Sequence, residues 1–267
     1  MLNENFLDNR FTWMIYSIAL LLMYFGNYFG YRFGLKQSQK ISNVQDTANG
    51  EIMGAIFGVL GFTLAFLFGM SLTRLEHKKE MVVNEASAVL MAYQNSRFLP
   101  EPYKTDCSRM IKDYASLRYQ LSINARKDHN VSELKKGLLL SEQIQDSLLR
   151  AGTAMMNLPG VDASAYVASI TTLVDLNIKR INNALGDRIP MALKFLMYMM
   201  SLFGLLAMGY GSGLKGGHSL IPNILLVSIF AIIIWIILDM DSPVNNLFKI
   251  SQTPMADVIN RMNTMRL

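Results

Sequence analysis

Four stretches of this chain are free of formal charge, and the segments between them carry most of it. No Lys, Arg, Asp or Glu lies between Arg10 and Arg32, from residue 52 to 73, from 195 to 214, or from 219 to 238. Each stretch reaches or exceeds the roughly 20 apolar residues that a helix needs to cross hydrocarbon. Trp13, Tyr16, Tyr28 and Tyr31 sit toward the ends of the first, where amphipathic aromatic rings favour the membrane interface. The fourth is the most apolar and stops at Asp239 and Asp241. Gly213, Gly216 and Gly217 with His218 mark a tight link between the third and fourth.

The polar part follows the helical period. No Gly or Pro interrupts the run from Met70 to Leu99, so the second span is expected to continue as one helix beyond the membrane until Pro100 and Pro102 end it. Met110, Tyr114, Leu117 and Leu121 then form an apolar stripe, with Arg109, Lys112 and Asp113 off it. Asn130 and Glu133 make a capping-box start for a further helix, which Pro159 and Gly160 break. Another helix is predicted to put Val167, Ile170, Val174, Ile178, Ile181 and Leu185 in its core face. Asp241-Ser242-Pro243 and Thr253-Pro254 read as two helix starts in the tail. No useful length of strand-like alternation appears. The predicted fold is an all-α integral membrane protein with a helical domain inserted between spans two and three. Its parts are residues 1–74, the inserted domain 75–188, residues 189–239, and a helical tail 240–267.

Composition agrees with two solvents. Apolar residues make up 51% and charged residues 17% of the 267, against about 25% charged in soluble domains. Four spans put both termini and the inserted domain on one side. That side has Arg10, Arg74, Lys78, Lys79, Lys179, Arg180, Arg188 and Lys249 near the membrane; the other has Arg32, Lys36, Lys40 and Lys215, and Lys194 can count for either. The excess places the termini and inserted domain in the cytoplasm. Glu4 and Asp8 ahead of the first apolar run argue against a cleaved signal peptide. The net charge of +5 reads as positive-inside topology and contact with anionic lipid, without nucleic-acid binding.

Convergent reactive groups are missing. His77, His129 and His218 fall in separate segments, none at metal-ligand spacing with another, and the single Cys107 can form no internal disulfide. There is no phosphate-cradling glycine loop or nucleophile elbow. Enzymatic activity, a metal site and a cofactor are therefore not expected. Asp239 and Asp241 are too few for a calcium cage and are read as a helix cap that pairs with arginines such as Arg180 or Arg188.

Span two is the informative segment. At about 100° per residue, Gly54, Gly58, Gly61, Ala65 and Gly69 fall on one narrow stripe that allows close helix packing. The opposite face carries Ile56, Val59, Leu60, Thr63, Leu67, Met70 and Arg74. Phe57 and Phe68 flank it on one side, Phe62 and Phe66 on the other. Copies of such a helix around an axis would make an apolar, aromatic constriction that conducts when wet. Aromatic edges are electropositive, and a ring of Arg74 would add to a preference for anions. The alternative is that this face meets lipid while the glycines hold a bundle together.

The run Gly61-Phe62-Thr63-Leu64-Ala65-Phe66-Leu67-Phe68-Gly69-Met70 with Arg74, then Val83-Asn84-Glu85-Ala86 and Leu99-Pro100-Glu101-Pro102, resembles the bacterial bestrophin-like family. Gly209-Tyr210-Gly211-Ser212-Gly213-Leu214, Leu238-Asp239-Met240-Asp241-Ser242-Pro243 and Ser251-Gln252-Thr253-Pro254-Met255 look like that family's second signature. Bestrophins are homo-oligomeric anion channels with four membrane-crossing segments and a pore lined by the second. The resemblance thus implies a homo-oligomer, a pentamer being one candidate, with inorganic ions as the permeant species. It implies pore-lining roles for Ile56, Val59, Leu60, Phe62, Thr63, Phe66, Leu67, Met70 and Arg74. A quarter-turn rotation would instead bring Phe62 and Phe66, or Phe57 and Phe68, to the axis. No acidic run resembles the bestrophin calcium clasp, so calcium gating is not implied, and Ser242 stands where the family pattern expects a basic residue.

Two other functions compete. A non-conducting scaffold or sensor would use the spans as an anchor and bind a cytoplasmic partner. A secondary transporter fits less well, because inverted repeats and an intramembrane acidic coupling residue are missing.

Overall fold

The computed structural model describes residues 9–38, 46–127, 131–185, 189–215, 220–242 and 247–265. These form eight helices: α1 (Asn9–Ser38), α2 (Asp46–Ser96), α3 (Tyr103–Lys127), α4 (Val131–Met156), α5 (Ser164–Leu185), α6 (Met191–Leu214), α7 (Leu220–Asp241) and α8 (Thr253–Thr264). Among the described residues there is no strand. Among the described residues three helices are long and apolar enough to cross a membrane: Gly50–Ser96, Met191–Leu214 and Asn223–Asp241. α1 is 30 residues long, with Asn27 and Arg32 within it. The chain divides into two compact units, one of residues 9–74 and 188–242, the other of residues 1–8, 75–187 and 243–267.

In the first unit α1 lies along α6 with almost no side chain between them. A Cβ added to Gly30 would meet the backbone of Leu206, one on Gly34 that of Tyr210, and one on Gly209 or Gly213 that of Asn27 or Tyr31. Backbones this close require residues without side chains, the device by which helices associate where lipid removes the hydrophobic drive. The Asn27 side-chain amide donates to the Leu205 carbonyl at 3.1 Å across the same contact. Met23, Leu60, Leu64, Leu67, Met197, Leu205, Val227 and Ile237 form the unit's core. Phe57 of α2 stacks on Phe230 of α7, centroids 6.2 Å apart, and Tyr24 and Ser228 hydroxyls lie 3.1 Å apart.

The second unit is built from bulky side chains. Tyr93, Tyr114 and Tyr166 are fully buried among Val89, Ile111, Leu148, Ile170 and Leu173, and Met255, Val258 and Met262 of α8 complete this core. Cys107 is buried in it. On α5 the buried face is Tyr166, Ser169, Ile170, Leu173 and Asn177, which corrects the expected stripe: Val167 and Val174 are half-buried, and Ile178 is 52% exposed. A period of apolar residues could not register that Asn177 and Arg180 turn inward to a polar network. The Asn130 cap lies outside the described residues, as do His129, Arg188 and His218. In the tail Thr253 opens α8 with Pro254 in its first turn. The other start expected at Pro243 falls outside the described residues, and residues 247–252 are bends and coil.

Candidate functional site

Two regions gather polar or uncovered groups. One is the membrane part of α2 with the cluster on Asp241; the other is the ion triad on Glu85.

The α2 residues singled out by the sequence are distributed unevenly around the helix. Leu60 and Leu67 are enclosed in the core of their own unit. Ile56, Thr63 and Met70 are half-buried. The Thr63 hydroxyl donates to the Val59 carbonyl one turn back at 2.8 Å, which satisfies it locally. Val59, Phe62 and Phe66 are 55%, 74% and 55% exposed. Ala65 is exposed too, and a Cβ on Gly54, Gly58, Gly61 or Gly69 would meet nothing within 4 Å. Among the described residues the glycine stripe and the Phe62–Phe66 flank are therefore uncovered, and the side opposite them is packed. The glycines that do seat helices inside the chain are Gly30 and Gly34, which drew no notice in the sequence, and Gly209 and Gly213, which stood there only in a signature or, for Gly213, in the link after span three; Gly213 lies inside α6 instead. Their signal was present, because Gly26, Gly30 and Gly34, like Gly209 and Gly213, recur every fourth residue.

Arg74 does not point into an open face. Its Nη1 donates to Asp241 Oδ1 at 2.8 Å, and its side chain is 20% exposed against 2% for Asp241. Asp241 Oδ1 also accepts the Ile189 backbone N–H at 2.8 Å, and Oδ2 accepts Lys194 Nζ at 2.7 Å. Among the described residues the partners of Asp241 are Arg74 and Lys194, which corrects the expected pairing with Arg180, whereas Arg188 lies outside the described residues. One carboxylate joins the lower end of the α2 span, the start of α6 and the last residue of α7. The arrangement runs against local helix electrostatics. Lys194 lies in the first turn of α6 and Asp241 ends α7, each at the helix end where its charge is disfavoured by about 0.3–1 kcal/mol. Their mutual pairing offsets both.

In the other unit Glu85 is fully buried. Its Oε1 accepts from Tyr114 at 2.9 Å and from Arg118 Nε at 2.8 Å, and its Oε2 accepts from Arg180. Arg180 Nη2 reaches Ser122 at 2.9 Å and Gln252 at 3.4 Å. Gln145 donates to the Tyr114 hydroxyl at 3.2 Å and accepts from Asn177 at 3.0 Å. Burial alone would raise the Glu85 carboxyl, but the Arg118 and Arg180 charges and their hydrogen bonds outweigh it and hold the group at about 2. Burial likewise pushes the Tyr114 hydroxyl well up, so the pair stays carboxylate and neutral phenol across the working range. Glu85 and Arg118 are buried and Arg180 keeps 15% of its side chain exposed, an arrangement that reads as a structural tie between helices. Glu85 was quoted only within a motif; a lone carboxylate among Val82, Ala86, Val89 and Tyr93 on one helix face is the signal that could have found it.

Chemically, neither region offers a nucleophile beside a base. Among the described residues no three His, Cys, Asp or Glu side chains are grouped to hold a metal ion, and His77 is exposed, 3.5 Å from Glu80.

A family model described as the Bestrophin-like domain matches residues 19–255. Among solved structures, the chain is similar to the crystal structure of a mutant of a bacterial bestrophin homologue from Klebsiella pneumoniae. The two share 14% identity with a TM-score of 0.63, over 94% of this chain and 98% of that one. No curated protein sequence matches the chain.

Proposed function

The chain belongs to the bestrophin-like family, and on that premise we propose that it is the subunit of a homo-oligomeric ion channel in the bacterial inner membrane. In this reading the chain crosses the membrane four times, through α1, the upper part of α2, α6 and α7. The observation that carries the proposal is the uncovered side of α2. A helix that packs one side against its own chain and leaves glycines beside phenylalanines on the other is suited to meet further copies of itself. The stripe of Gly54, Gly58, Gly61, Ala65 and Gly69 lets a neighbouring helix approach closely. The adjoining Val59, Phe62 and Phe66 then face the axis as stacked apolar rings, a constriction that conducts when wetted. Leu60 and Leu67, enclosed by their own chain, serve packing in this arrangement, and Thr63 lies at its edge. The permeant ion is proposed to be an anion, favoured by the electropositive aromatic edges.

The test is ion flux into liposomes holding the purified protein, with chloride, potassium and sodium gradients applied separately. Chloride flux that rises in a Phe62→Ala/Phe66→Ala variant supports a neck made by these rings. Absence of flux for every ion would move the function to an anchored scaffold that binds a cytoplasmic partner.

A further inference from the structure

The sequence suggests that Arg74 contributes a ring of positive charge to an ion pathway, but the structure gives its guanidinium another occupation. We propose that Asp241 is a positioning residue that withholds the Arg74 charge from the conduction path, so that Asp241, through Arg74, sets the ion preference of the channel. The inference rests on the channel reading above.

Three observations support it. First, both oxygens of Asp241 are engaged, Oδ1 by Arg74 and the Ile189 N–H, Oδ2 by Lys194, at 2.7–2.8 Å. A carboxylate this saturated holds its donors in fixed directions. Second, among the described residues Arg74 is one of two charged side chains on this carboxylate, and it comes from the helix whose uncovered side is the candidate neck. On a helical wheel Arg74 lies on the side of Leu60 and Leu67, away from Phe62. Third, Lys194 and Asp241 occupy helix ends that disfavour their signs. Local helix stability would not place them there, whereas the pairing of three chain segments does. In the intact cluster Arg74 and Lys194 share one carboxylate, so the Arg74 potential is reduced by the Asp241 charge at 2.8 Å while the group as a whole keeps one net positive charge. Removing the carboxylate charge leaves the guanidinium without its strongest acceptor and lets its potential act on passing ions.

The experiment compares wild type, Asp241→Asn, and Asp241→Asn with Arg74→Met. Chloride-to-potassium permeability ratios are read from reversal potentials in planar bilayers, and thermal unfolding of the same preparations is followed in detergent. Asp241→Asn is expected to raise the ratio by about threefold or more, as an uncompensated cation near a pore mouth does. Adding Arg74→Met should return it toward the wild-type value. In the unfolding series the double variant should lose less than the sum of the losses of Asp241→Asn and Arg74→Met measured singly, which reports the pairing without any conduction. A ratio unchanged by Asp241→Asn, or a shift that persists without Arg74, overturns the proposal. Additive unfolding losses overturn it too. If wild-type protein conducts no ion, the channel reading falls and this inference with it, whereas a conducting wild type with an unresponsive ratio removes the inference alone. Where Asp241→Asn unfolds, Lys194→Met serves: it leaves the carboxylate to Arg74 and should lower the ratio, and an unchanged ratio in that variant overturns the proposal.

Discussion

The two units of this chain solve the same problem, holding helices together, by opposite means. In the unit of residues 9–74 and 188–242, α1 and α6 touch through backbone at Gly30, Gly34, Gly209 and Gly213, and side chains are conspicuous by being removed. In the other, Tyr93, Tyr114 and Tyr166 fill the space between helices, and a carboxylate with two guanidiniums is enclosed at the centre. Two solvents, as in the topology proposed above, would account for the difference. Where lipid surrounds a helix, apolar side chains gain nothing by leaving it, so close backbone contact and isolated hydrogen bonds such as Asn27 to Leu205 supply the attraction. Where water surrounds the helices, burying large side chains is itself favourable, at about 25 cal/mol per Å² of apolar area. That drive can carry one buried ionic network, provided all its members are paired.

The sharpest way to break the comparison is to strike each unit at its own device. Glu85→Ala leaves Arg118 and Arg180 beside each other in the core, and the expected loss is about 3–5 kcal/mol in denaturant unfolding. The same residue predicts a pH dependence. Its carboxyl titrates at about 2, below the usual 4.5, so the stability it contributes is complete above about pH 4.5 and is lost as pH falls through about 2. Circular dichroism at falling pH should show an acid transition that Glu85→Gln, less stable at neutral pH, no longer displays in that window.

Next in size is Gly30→Leu, which would drive a side chain into the Leu206 carbonyl and should cost at least about 1–3 kcal/mol. It should appear as a lower melting temperature in detergent, and a melting temperature unchanged from wild type would mean that α1 does not lie on α6 as described. Gly204→Ala is milder, because the added methyl meets the tip of Leu60 at 2.9 Å. A flexible side chain can yield, and the better helix propensity of Ala, about 1 kcal/mol, offsets the crowding. Smallest is Gly61→Ala, whose added methyl meets nothing within 4 Å among the described residues. It should leave the melting temperature level or slightly raised, while cross-linking in liposomes reports fewer assembled copies if the α2 glycines seat a neighbour.

Much of this structure was legible from periodicity. The uninterrupted run after Met70 became the single helix α2 ending at Ser96, and the prolines and glycine at 100, 102, 159 and 160 all lie between helices. The faces were harder. On α5 the apolar stripe was offset from the buried one, since Asn177 and Arg180 point inward to Gln145 and Glu85, and hydropathy counts such residues as surface. The same limitation hid Arg74. Its place on α2 was readable, but Asp241, 167 positions later, was not readable as its partner. The glycines show a further limit. A repeat of small residues every fourth position marks close packing, but only three-dimensional placement tells which repeat is used inside the chain, as on α1 and α6, and which is left uncovered, as on α2.

Cys107 gives the molecule a practical property. It is the single cysteine of the chain, it is buried, and burial pushes its thiol above the ordinary range, so little reactive thiolate is present at neutral pH. The native protein is therefore almost silent toward maleimides and methanethiosulfonates. A cysteine introduced at Phe62, Phe66 or Gly58 would be the one fast-reacting thiol in the chain, and its labelling rate from water or from lipid would report directly which medium wets that side of α2.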